Sequence, residues 1–139
     1  MFLSGSFGKN MDILKRSMDV SLLRRDVIAN NIANAETPNF KRTDVTFESQ
    51  LKRALDSEKK QSFPNFMTDK RHIAFDAPMD YRDVKANRVL DYLTQSKNNG
   101  NNVDVEVEMM SALENQLLYQ TMVQVVQSEF SRINIVLKP

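Results

Sequence analysis

His72 is the single histidine of a 139-residue chain that contains no cysteine. It is the one side chain whose ordinary pKa lies near neutrality, and Asp69, Asp76 and Asp80 stand close to it in sequence. A histidine among aspartates is raw material for an acid–base or metal site. Such a site usually draws on a second histidine or a thiolate; neither exists here, so His72 is read as a turn or interface residue. The missing cysteines also exclude disulfides and thiolate nucleophiles, and any Ser-His arrangement would have to be built on His72. An enzyme that cuts cell wall would need a carboxylate pair set in a cleft, and the acidic residues suggest no such pair. No catalytic residue, metal ligand or cofactor is expected.

Composition narrows the remaining classes. Lys and Arg number 19 against 18 Asp and Glu, a net charge of +1, which argues against holding nucleic acid by bulk electrostatics. Hydrophobic residues make up 41% and charged residues 27%, enough apolar surface for a buried interface. No apolar run approaches the roughly 20 residues that span a bilayer. Met1 to Asn10 lacks a basic start followed by an apolar core, so no cleaved secretory signal is expected.

Three parts follow from the placement of Gly and Pro: residues 1–40, an N-terminal helix and turn; 41–102, an irregular middle; and 103–139, a C-terminal helix. From Met11 to Asn34 there is neither Gly nor Pro, and Met11, Leu14, Met18, Leu22, Ala29 and Ile32 recur at helical spacing. Ile13, Val20 and Val27 form a second row spaced by seven. Asn10 is a plausible N-cap, and Pro38 should stop the helix near Ala35. From Asp104 to Leu137 the apolar face runs through Met110, Leu113, Leu117, Leu118, Met122, Val126, Phe130, Ile133 and Leu137, with Asp104 as N-cap. Val103 to Glu108 alternates with period two and could instead be a short strand; the helical period takes over after Met109.

The expected fold is mainly α and elongated, its two terminal helices paired as a coiled coil. About 34 helical residues span roughly 50 Å, against about 37 Å for a compact chain of this size. Lys9 to Asn34 carries five basic and three acidic residues, Val103 to Pro139 five acidic and two basic, a weak electrostatic bias toward that pairing. In the middle, Thr46 to Lys59 reads as a short helix with Phe47, Leu51 and Leu55 on one side. Gln61 to Tyr81, with Pro64 and Pro78, reads as extended chain with room for short strands. Ala86 to Ser96 reads as a further helical stretch through Val89, Leu90 and Leu93, followed by an Asn/Gly loop.

The run Asn30-Asn31-Ile32-Ala33-Asn34-Ala35-Glu36-Thr37-Pro38-Asn39-Phe40 is the most unusual segment. Three asparagines in five residues are poor helix formers, and on physics alone they read as a frayed helix end. Pro38-Asn39 then makes a turn with Asn39 in a slot that often holds Gly. The segment from Ala29 also resembles the N-terminal signature of the bacterial flagellar rod and hook axial family, carried here by Asn30, Asn31, Ala33, Asn34, Thr37, Pro38 and Phe40. Gly100 to Glu106, Glu108 to Met110 and Glu114 to Gln120 resemble that family's closing helix. Thr68 to Ile73, ending His72-Ile73, is similar to a further family element. The short length and the lack of a large inserted domain place the chain among the small proximal-rod members.

The resemblance implies a structural subunit of the proximal rod of the flagellar basal body, without catalysis. It implies that the subunit transmits torque, lines the export channel, and passes uncleaved from the cytoplasm to a rod within the periplasm. Implied partners are further copies of the chain, other proximal-rod proteins, the rod adaptor protein, the membrane ring and the flagellar export gate. Subunit and coiled-coil contacts are expected at Leu14, Met18, Leu22, Ile32, Met110, Leu113, Leu117, Met122 and Val126. Phe47 and Leu51 resemble the short apolar element by which early flagellar subunits dock on the export gate; packing against a neighbouring subunit is the alternative use. The rival function is a coiled-coil adaptor or chaperone of a secretion system that is never exported.

Overall fold

The computed structural model describes residues 5–59, 69, 71, 79–94 and 100–137. In chain order it holds helix α1 (Ser6–Ala33), strand β1 (Thr43–Thr46), helix α2 (Glu48–Lys59), a 3-10 turn (Tyr81–Asp83), strand β2 (Asn87–Leu90) and helix α3 (Val105–Leu137). His72, and the element of Thr68 to Ile73 apart from Asp69 and Arg71, lie outside the described residues, as does most of the extended stretch expected from Gln61 to Tyr81. The chain forms two compact units. One comprises Met1–Val45 with Arg88–Pro139, and the other Thr46–Asn87.

In the first unit α1 and α3 pair antiparallel, since Ser21 meets Asn115 while Asn31 meets Glu108. At 28 and 33 residues the helices run about 42 and 50 Å. Helix α1 begins at Ser6 rather than at Met11: Gly5 occupies the N-cap without a side-chain bond, and Lys9 donates the first helical bond to the Gly5 carbonyl at 3.2 Å. Asn10 is therefore interior and exposed; tertiary contacts of this first stretch, where Gly8 is buried, outweigh its weak propensity. Helix α3 starts at Val105, so the alternating Val103–Glu108 stretch is not a strand. The Asp104 carboxylate accepts from the Glu106 amide at 3.0 Å, and its carbonyl from Glu108 at 3.0 Å, a side-chain cap that decides the local choice.

The buried positions of α3 are Glu108, Asn115 and Met122, and the half-buried Ala112, Tyr119 and Val126 fall between and after them. Their gaps of four and three make a heptad seam. On α1 the buried positions are Gly8, Val20, Ser21, Val27, Ile28 and Asn31, so the row of Val20 and Val27, spaced by seven, is the one turned inward.

Strands β1 and β2 form a two-stranded antiparallel sheet, extended by a bond from the Asp91 amide to the Arg42 carbonyl at 2.9 Å. The helix expected from Ala86 to Ser96 is absent among the described residues of that range, 86–94; Asn87–Leu90 is strand, and Leu93 is exposed. The apolar residues there are too few to set a period, and backbone pairing with β1 wins. In the second unit α2 buries Ala54 fully, beside a turn that buries Tyr81. The Ser57 hydroxyl donates to the Ala54 carbonyl at 2.7 Å and accepts from the Met79 amide at 2.9 Å. Asp80 caps the 3-10 turn through the Arg82 amide at 2.9 Å.

Candidate functional site: the asparagine junction and the helix seam

The asparagine run sits where α1 ends and the chain turns back toward β1. Asn31 is fully buried. Its Oδ1 accepts from the Thr43 amide at 3.1 Å, and its Nδ2 donates to the Thr43 carbonyl at 2.8 Å and to Glu108 Oε2 at 3.1 Å. One side chain thus ties the last turn of α1 to the first residue of β1 and to the first turn of α3. The segment is no frayed end: a buried amide making three hydrogen bonds in a dry site fixes geometry strongly.

Asn34 and Thr37 continue the order locally. Asn34 Nδ2 donates to the Asn30 carbonyl at 2.8 Å, and the Thr37 hydroxyl donates to Asn34 Oδ1 at 3.3 Å. Thr37-Pro38-Asn39-Phe40 closes as a turn with the Phe40 amide bonded to the Thr37 carbonyl at 3.3 Å. Asn39 has φ 58°, the left-handed conformation that Asn tolerates and Gly usually fills. Gly100, at φ 80°, packs so near that a Cβ there would lie 2.6 Å from Asn39 Oδ1. Asn30, Ala33, Thr37 and Pro38 are exposed, and Phe40 is half-buried.

The other wall of the junction comes from the segment before α3. Asn101, fully buried, donates through Nδ2 to the carbonyls of Asn34, Ala35 and Thr37 at 3.0, 3.1 and 2.9 Å, and its Oδ1 accepts from the Val103 amide at 2.6 Å. It adds a bond to the Asn34 and Thr37 carbonyls, which also accept from the Thr37 and Phe40 amides, and engages the Ala35 carbonyl beyond the helix end. Asn102 Oδ1 accepts from the Arg42 amide at 2.6 Å, while its Nδ2 donates to the Asp91 carbonyl at 2.8 Å and to the Thr94 hydroxyl at 3.1 Å. The Lys41 ammonium donates to the Gly100 carbonyl at 2.8 Å.

Charge enters with Glu108. Its carboxylate is 0% exposed and receives Arg42 Nε at 2.5 Å. Burial works against the Arg42 charge, but the Glu108 and Asp44 carboxylates more than offset it and hold the guanidinium above its ordinary value. Two helical turns on, Asn115 exchanges two bonds with Ser21: the Ser21 hydroxyl donates to Oδ1 at 2.9 Å, and Nδ2 donates to the Ser21 carbonyl at 2.9 Å. Among the described residues no buried side-chain nitrogen or oxygen lacks a partner.

Of the residues expected at helix contacts, Met18, Leu22 and Val126 line one groove with Met11 and Tyr119. Leu14 and Ile32 are half-buried, and Met122 is buried in the seam. Met110, Leu113 and Leu117 are 59%, 49% and 54% exposed; Leu117, nine residues on from Glu108, lies about 180° around the helix from it. Phe47 is buried and sits just before α2, its carbonyl accepting from the Leu51 amide at 2.9 Å, with Leu51 half-buried. The folded chain does not present that pair as an exposed knob. Glu108, Asn115, Asn101 and Arg42 were missed as structural centres, although Glu108, Asn115 and Met122 are spaced by seven. Among the described residues no three His, Cys, Asp or Glu side chains gather as a metal site requires, and no helix is long and apolar enough to cross a membrane.

The profile of a family described as flagella basal body rod protein matches residues 22–41. The relative from Borreliella burgdorferi, named flagellar basal body rod protein FlgB, is 42% identical over 132 residues, covering 95% of this chain and 98% of its own length. Proteins of the same name from Borrelia hermsii and Bacillus subtilis are 41% and 33% identical, covering 95% and 94% of this chain and 98% and 95% of their own. The chain belongs to the FlgB family of flagellar basal body rod proteins. The profile match holds the whole asparagine run and the Pro38–Asn39 turn, and the similarity to the relatives continues through α3. The rod-family chain is a structural component of the basal body rod and not an enzyme.

Proposed function

We propose that the chain is a subunit of the proximal rod, that it carries torque from the membrane ring toward the distal rod and hook, and that it lines part of the export path. One observation carries this reading: the face of α3 turned away from α1 leaves Met110, Leu113 and Leu117 about half exposed. A helix apolar on both faces is built to be buried on both, and a single α1 covers one. Further copies and other proximal-rod proteins are the partners such a face suits, with the rod adaptor protein and the membrane ring as neighbours at the base. The subunit reaches a periplasmic rod through the flagellar export gate without signal cleavage. Because Phe47 is buried in the folded chain, docking on the gate through Phe47 and Leu51 belongs to the chain before it folds.

Electron cryotomography of basal bodies from a strain lacking the chain tests the reading. A membrane ring with no rod above it is expected. Complete rods and hooks would refute the rod role and leave a cytosolic adaptor in its place.

A further inference from the structure

Apolar burial does not decide how α1 and α3 align, because α3 offers apolar side chains around most of its circumference and the seam is filled by residues such as Met122, Val20 and Val27. Methionine and valine bury comparably well against many neighbours, so sliding α3 along α1 by one heptad costs the apolar contacts little. The polar members of the seam are different. Ser21 and Asn115 exchange two bonds of 2.9 Å, and Glu108 holds Asn31 from α1 and Arg42 from the chain before β1. All of Ser21, Asn31, Glu108 and Asn115 are buried.

We propose that Asn115 and Glu108 are the register-setting residues of the helix pair. A one-heptad slip in either direction sets Ser21 against Met122 or Glu108 instead of Asn115. The same slip carries Glu108 away from Asn31 and Arg42. One slip therefore buries the Asn115 amide and the Glu108 carboxylate without partners. The other strands Asn115 and leaves Glu108 the Ser21 hydroxyl in place of an amide and a guanidinium. Each is costlier than the loss of the bonds alone. Single buried polar residues fix register in helix pairs by this route, at some expense of stability. Two such residues one heptad apart, engaging different partners, leave one alignment in which both are satisfied.

The chain has no cysteine, so spin labels can be placed at Arg25→Cys on α1 and Gln127→Cys on α3, both exposed positions. The two are offset by roughly 20 Å along the pair axis, so that a slip changes their separation. Double electron–electron resonance is recorded on labelled chain diluted with unlabelled chain, so that intramolecular pairs alone are read. The parent should give one narrow distance. Asn115→Leu with Glu108→Leu should add a population displaced along the pair by about 10 Å, the rise of one heptad. A single unchanged distance, with parental helix content by circular dichroism, overturns the proposal. If that double variant loses helix content, Asn115→Leu alone decides, since Ser21 can bond back to its own helix: a broadened or two-peaked distribution supports the proposal, and one as narrow as the parent's overturns it.

Discussion

On α3 the side turned toward α1 buries Glu108 and Asn115, while the side turned away leaves Met110, Leu113 and Leu117 about half exposed. At these positions polarity and exposure run opposite to the ordinary rule, although Met122 is also buried on the inward side. The inward side can carry polar groups because each has a fixed partner, Ser21 on α1 for Asn115 and the junction for Glu108, so desolvation is compensated bond by bond. The outward side carries apolar groups that nothing among the described residues covers. The difference teaches that the inward side defines the subunit's own geometry, and the outward side supplies the surface that an assembly would bury.

The largest effect expected from this contrast is at Leu117. Leu117→Asp should abolish motility and rod assembly, because a charge in a dry helix interface has no partner, yet change the free chain's unfolding free energy by no more than about 0.5 kcal/mol. Swimming plates and urea denaturation read the two effects separately; normal motility would break the contrast. Next comes Arg42→Ala, which leaves the Glu108 carboxylate buried without its guanidinium. A loss of about 3–5 kcal/mol in urea denaturation is expected, and a loss below about 1 kcal/mol would show that the inward side is not charge-locked. Gly100→Ala should cost about 1–2 kcal/mol, since φ 80° is strained for any L side chain, with a corresponding fall in thermal midpoint. No change there would mean that the junction is looser than the seam.

The smallest effect concerns the exposed rim of the junction. Asp91 is held below the ordinary aspartate value by its bonds from the Thr94 hydroxyl and amide, and further by the Leu93 amide. A carboxyl lowered on folding stabilises the fold above its unfolded pKa, and this contribution is lost as pH falls through the folded value. NMR titration of the Asp91 carboxyl should therefore give a midpoint below 3.8, and Thr94→Val should move it upward. An unmoved midpoint would show that the hydroxyl bond contributes nothing at the rim.

The two long helices were legible because Gly and Pro are absent from both segments and the apolar period runs for several turns. The seam between them was less so. Met110, Leu113 and Leu117 advertise themselves by hydrophobicity, whereas Glu108 and Asn115 read as solvent-facing until their partners Arg42, Asn31 and Ser21 are seen. The Pro38–Asn39 turn was readable from residue types, since proline fixes one torsion and asparagine tolerates the other. Strands β1 and β2 were not, because four residues give no period and their ends are tied by Asn102, a residue distant in sequence from Arg42. The start of α1 at Ser6 escaped for a related reason: no side chain caps it, so its position depends on packing.

Asn101 has one more consequence, for the order in which the molecule can fold. The carbonyls at the end of α1 are completed by an amide 64 to 67 residues later in the chain, and Ser21 waits for a residue 94 positions on. Contacts so remote in sequence require large loops to close before they return any stabilisation, which slows folding relative to a bundle held by neighbouring turns. The end of α1 finds near partners in the backbone of Thr37 and Thr43, but the face it turns to α3 has none until the last third of the chain is available. The unit of Thr46–Asn87 closes on its own contacts, whereas the helix pair becomes a defined body only when Asn101 and the residues after it arrive.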